Sequence, residues 1–154
     1  MDKNIEFLKY IYMSAMKARD ACENVAYVCE TEDMLTLLDT RVYDYDALMS
    51  ECIEKLDSYN LDLLKEKTII KKIKDEKNIK SNIFSYDFLE VNEIEKVDDS
   101  FLAKQLIKGA SAGKIDVSKK LSNGQNIYTK GIKKIATKLL TIEDKNIKQF
   151  KEYV

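Results

Sequence analysis

The chain of 154 residues has no histidine and no proline, and only four glycines. Each shortage removes a class of explanation. Without histidine there is no Ser-His-Asp or Cys-His nucleophile system, no histidine general base and no histidine metal ligand. Without proline, and with so little glycine, the tight turns of a many-stranded β fold lack their usual residues. With 34% charged and 45% hydrophobic residues, the sequence reads as helices joined by few loops. Its length suits one domain, 1–154, around one core.

Long apolar runs are missing too. Nothing approaches the roughly 20 consecutive apolar residues of a membrane span. The start, Met1-Asp2-Lys3-Asn4-Ile5-Glu6, lacks the basic opening of a secretory signal, and Lys9, Ser14, Lys17 and Arg19 interrupt the apolar residues that follow. The expectation is a cytoplasmic protein. Cys22 and Cys29 lie seven positions apart on one predicted helix, about 10.5 Å along its axis. A disulfide needs Cα atoms within about 7 Å, so both, with Cys52, are read as small buried hydrophobes.

The apolar residues that are present fall at helical spacing. Ile5, Leu8, Tyr12, Ala15, Cys22, Ala26 and Cys29 predict helix 1 over Lys3 to Cys29. Thr31 is placed to cap helix 2, with Glu32 and Asp33 favourable in its first turn. Helix 2 carries Met34, Leu38, Tyr45, Leu48, Cys52, Leu56 and Tyr59 on one stripe. Helix 3 is predicted from Asp99 or Ser100 to Leu121, ended at Asn123-Gly124. Helix 4 is predicted from about Ile127 to Tyr153, with Tyr128, Ile132, Ile135, Leu139, Ile142, Asn146, Phe150 and Tyr153 on its stripe. Residues 60–99 are expected to form short helices in a long connection between the two antiparallel pairs.

Charge is strongly segregated. Residues 1–60 are net −7, 61–80 net +3, 81–100 net −5 and 101–154 net +8, against an overall charge of −1. The acidic first pair is expected to pack against the basic last pair. The basic residues of the last pair are all lysines, without the arginine forks and interleaved aromatics of nucleic-acid sites, so nucleic acid is not the expected partner.

Arginine is the scarcest cation, with two copies against 24 lysines. Arg19 falls on the helix 1 seam and Arg41 on the helix 2 seam. Arginine tolerates burial because its planar fork bonds a carboxylate in two places. Pairing about the turn near Glu30-Thr31 predicts two cross-helix ion pairs, Arg19 with Asp44 and Arg41 with Glu23. On helix 4, Asn146 sits on the seam with Glu143 beside it, read as a buried register-fixing amide and a surface acid. The predicted polar core is thus Arg19, Glu23, Arg41, Asp44 and Asn146. Gly109-Ala110-Ser111-Ala112-Gly113-Lys114 is not a phosphate-binding loop: the glycine spacing is one residue short, and Ile115 stands where Ser or Thr would hold magnesium. Its small residues would instead let another helix approach, or leave room beside it.

With these residues in view, the chain resembles the ferritin-like group of four-helix bundles, and most closely its small bacterial members, some of them related to spore-coat proteins. The resemblance covers most of the chain. It rests on the two helical pairs, on Leu106-Ile107-Lys108-Gly109-Ala110-Ser111-Ala112-Gly113 and on Ile142-Glu143-Asp144-Lys145-Asn146-Ile147. It implies an all-α bundle of two antiparallel pairs. Metal-binding members of the group carry glutamates and Glu-x-x-His pairs. Here Glu23 matches the first glutamate, Glu51 and Glu54 on helix 2 lack a histidine, and Asn146 replaces the histidine after Glu143. Asp116, the acid of helix 3, is expected opposite Lys133-Lys134, so the carboxylates are not expected to converge.

The expected function is therefore a non-enzymatic structural or interaction module, without catalytic residues, cofactor or bound metal. Its expected partner is another protein or a second copy of the chain, not a membrane. One alternative is a carboxylate-only site for iron or manganese. Another is a small-ligand site beside Gly109 and Gly113.

Overall fold

The computed structural model of the protein describes residues 2–59 and 97–154. The described residues are helical, without strands: α1 Lys3–Ala26, α2 Glu32–Asp57, α3 Asp99–Asn123 and α4 Lys130–Phe150, closed by a single 3₁₀ turn, Lys151–Tyr153. The short helices expected within residues 60–96 lie outside the described residues.

Each α-helix begins at a side chain that satisfies an amide its own ladder leaves open. Asp2 accepts from the Asn4 N–H, Thr31 from Met34, Asp98 from Phe101 and Thr129 from Ile132. The Thr31 cap was legible in the sequence. Helix α4, by contrast, starts at Lys130 rather than Ile127, because Thr129 supplies the cap. Helix α1 stops at Ala26, three residues before Cys29. Gly124 follows α3 as expected, but its φ of −108° is not the left-handed conformation that favours glycine. A Cβ there would lie 2.0 Å from the Tyr128 ring. Gly124 is small so that Tyr128 can fold over it and stack on Phe7, with ring centroids 4.3 Å apart.

The four helices share one apolar core, including Leu8, Met16, Leu38, Leu48, Leu102, Val117, Ile132, Leu139 and Phe150. Two short turns make α1–α2 and α3–α4 antiparallel hairpins. Helix α2 also runs antiparallel to α4: Glu51 meets Lys138, Tyr45 meets Glu143 and Asn146, and Arg41 meets Gln149. The start of α3 bonds the α1–α2 turn, through Asp99 to Glu30 and Thr31. The start of α1 bonds the α3–α4 turn, through Asn4 to Ile127 and Thr129. The helices therefore run up, down, down and up, and the described chain leaves α2 at one pole and re-enters at the other.

Candidate functional site

Tyr45 lies at the centre of the buried polar groups. It belongs to the apolar stripe of α2 and is fully buried, and a buried phenol must find a partner for its hydroxyl. Its O–H donates to Glu143 Oε1 at 2.7 Å and accepts from Asn146 Nδ2 at 2.5 Å. Glu143 and Asn146 are one turn apart on α4 and 5% and 4% exposed. The Asn146 position was correctly read as a seam. Glu143 was not a surface acid: it lies inside, and its other oxygen, Oε2, faces Gly113 of α3.

Burial disfavours charge on Glu143, outweighing the hydrogen bond from Tyr45, and pushes its carboxyl up to about 7. Burial, and then the nearby Glu143 charge, raise the Tyr45 phenol well above its ordinary value. Burial likewise pushes the Cys22 and Cys52 thiols up to about 12. These are inert core thiols, not nucleophiles. Cys29 is also a free thiol but only partly buried, at the end of the α1 seam.

The two arginines do not form the predicted ion pairs. Arg19 bonds its sequence neighbour Asp20, Nη2 to Oδ1 at 2.9 Å, and reaches Asp46 on α2, Nη1 to Oδ1 at 3.0 Å. Asp44 lies on a different side of α2 from Asp46, a consequence of the 100° rotation per residue that counting across the turn ignores. Glu23 is half exposed and touches Arg19, not Arg41, at 4.0 Å. Arg41 is buried, but it points away from α1: Nη2 donates to Gln149 of α4 at 2.8 Å, and Nη1 lies 3.2 Å from Asp44 on its own helix. That Asp44 contact lacks hydrogen-bond alignment, and Arg41 Nε has no partner among the described residues. So Arg41 and Asn146 are core, Arg19 is nearly so, and Glu23 and Asp44 are peripheral. Asp20, 5% exposed with Oδ2 unpartnered, is a buried acid that the sequence reading missed.

A pocket of about 420 Å³ opens against this cluster. Helices α1 and α3 form its sides, and Leu139, Glu143, Asn146 and Tyr45 form its inner wall. The space exists because both sides carry small residues: Ala18 and Ala21 on α1, and Gly109, Ala110, Ala112 and Gly113 on α3. A Cβ on Gly109 would meet nothing within 4 Å. The small-residue segment thus borders open space, one of the two roles considered for it.

No family model, no curated protein and no solved structure matches this chain. Lys114 pairs with Asp144 at 2.6 Å, so α3 and α4 sit in a different register from the one counted at Gly124. The turn is longer, running to the Thr129 cap, and it carries Asp116 away from Lys133-Lys134. Asp116 lines the same pocket as Glu143, although it is itself exposed.

Among the described residues, the carboxylates that the ferritin-like resemblance singles out are engaged apart from one another. Glu51 is bound to Lys138 at 2.6 Å, Glu23 is turned toward Arg19, and Glu143 is surrounded by a phenol and an amide. Among the described residues no three His, Cys, Asp or Glu side chains gather where one ion could reach them. Also among the described residues, no helix is long and apolar enough to cross a membrane.

Proposed function

We propose that this chain is a ferritin-like, non-enzymatic binding bundle that holds a small molecule in the pocket between α1, α3 and α4. The observation that carries the reading is the pairing of a roomy, largely apolar pocket with a buried Glu143–Tyr45–Asn146 cluster on its inner wall. Ligand sites have this anatomy: apolar walls with a few fixed polar groups. The ferritin-like assignment is supported by the up-down-down-up order, in which one long connection joins two hairpins. Catalysis has little support, since the cluster lacks an activated nucleophile and the pocket thiol, Cys22, is held protonated by burial.

A role as an interaction module is favoured by a separate observation, the exposure of Tyr27, Val28 and Leu35 in and just after the α1–α2 turn. Sedimentation of the wild type beside Tyr27→Ser tests it; a concentration-dependent dimer lost in the variant supports that reading.

Native mass spectrometry of protein purified from its host tests the binding reading. A small molecule carried by the wild type and absent from Gly113→Leu, which fills the pocket, supports it. Identical spectra for the two folded proteins sink it.

A further inference from the structure

The pocket's inner wall states what kind of atom is missing there. Tyr45 has committed its hydroxyl proton to Glu143 and accepts from Asn146. What remains open are two acceptors: Glu143 Oε2, next to Gly113, and Asn146 Oδ1, buried without a partner. A pocket wall whose unmet polar atoms are acceptors fits a donor group.

The charge balance narrows that donor. Arg41, the cation nearest in sequence to Tyr45, donates to Gln149 and lies against Asp44, and forms no ion pair with Glu143. No cation among the described residues pairs with Glu143. A buried carboxylate without a counter-ion is costly, and its usual answers are to protonate or to take up a cation. Burial, which raises the Glu143 carboxyl, favours the first answer where no cation is at hand. Beyond the inner wall the sides offer Ala18, Ala21, Leu106 and Val117, surfaces for an apolar stem rather than a polar one. Asp116 adds a second acid on the α3 wall. Lys17 and Lys108 also border the pocket, but both are exposed, where solvent and salt weaken their repulsion.

Resting on the pocket reading above, we propose that the ligand is a primary aliphatic amine, bound as its ammonium against Glu143 with its alkyl stem between α1 and α3. The ammonium donates to Glu143 Oε2, and pairs with a carboxylate that no cation among the described residues bridges.

The experiment is an NMR titration of the full chain, in mildly alkaline buffer, with hexylamine, hexanol and hexanoate. The amides of Gly109, Gly113 and Asn146 report the site. Saturable shifts at these amides with hexylamine are expected, with affinity at least about tenfold weaker for the alcohol, for the carboxylate, and for hexylamine on Glu143→Gln. Glutamine keeps the shape and removes the buried charge, so that variant should fold. Hexanol or hexanoate binding as well as the amine at the same amides would overturn the ammonium while leaving the pocket as a ligand site. Unchanged hexylamine affinity in Glu143→Gln, shifts confined to other residues, or no saturable shift would each overturn the proposal. In those cases the pocket reading is judged separately, by the native mass spectra.

Discussion

The Asp99 carboxylate, at the start of α3, clamps Thr31, at the start of α2. Oδ2 accepts from the Thr31 N–H at 3.0 Å and from the Thr31 hydroxyl at 2.6 Å, while Oδ1 accepts from the Glu30 N–H at 2.7 Å. Partial burial works to raise the Asp99 carboxyl, but the bonds from Thr31 and Glu30 outweigh it and hold the group below its ordinary value. Asp99→Ala should cost about 0.5–1.5 kcal/mol in a denaturant melt, the net range for hydrogen bonds whose donors water can reach. Its contribution to pH dependence is present above the ordinary carboxylate range and is lost as pH falls through the depressed value. An Asp99→Ala protein with unchanged stability and unchanged amide exchange at Glu30 and Thr31 would mean that water replaces the clamp without loss.

Glu143 has the opposite sign. Its folded carboxyl titrates near 7 against an ordinary 4.5, so between those values the folded state holds more protons than the unfolded one. Stability should therefore fall as pH rises from about 4.5 to 7 and then level off, by an amount on the order of 3 kcal/mol. Tyr45 and Cys22 beside it do not titrate in that window. Glu143→Gln should flatten this part of the profile and be the more stable protein in alkaline buffer. Parallel pH profiles for the two proteins would show that Glu143 is solvated.

The arginines separate by what each leaves behind. Arg19→Ala strands Asp20, a buried acid whose one bonded oxygen is held by Arg19. The expected loss is about 3–5 kcal/mol, as for breaking one side of a buried pair. Adding Asp20→Asn should recover much of it. Arg41→Met should cost less than about 1 kcal/mol or raise stability, because a guanidinium with an unpartnered Nε gives way to an apolar chain of similar size. Equal losses from Arg19→Ala with and without Asp20→Asn would contradict this account.

Two glycines give a third contrast. Gly109→Ala places its methyl in open space in mid-helix and should stabilise by about 0.5–1 kcal/mol through helix propensity. Gly124→Ala drives a methyl into the Tyr128 ring and must displace it from Phe7. Melting temperatures should move in opposite directions. A shift of the same sign for both would show that the Tyr128 ring yields freely.

What the sequence made legible follows from period. The stripes of α1 and α2, the Thr31 cap and the seam position of Asn146 all depend on spacing along one helix. What it hid depends on how helices meet. Glu143 lies beside the α4 seam, and only the approach of α3 through Gly113 and of α2 through Tyr45 puts it inside. Tyr45 carried a usable signal: a tyrosine amid leucines on a buried stripe requires a hydroxyl partner. Asp116 was misplaced because the turn to Thr129 is longer than Gly124 alone implied. The arginine partners were misassigned because counting across a turn sets height but not rotation.

The order of the helices also governs where the chain's ends emerge. Asn4 is fastened to the α3–α4 turn, whereas Tyr153 comes close enough to Asp33 and Asp99 for their charges to act on it. The two ends of this chain therefore leave from opposite poles of helices roughly 32–39 Å long. A linker joining them would have to travel the full length of the bundle, so a circular permutant with a short splice cannot close. Proteins fused to the two ends would be held apart by a rigid rod, and the same geometry would let the bundle serve as a spacer between them.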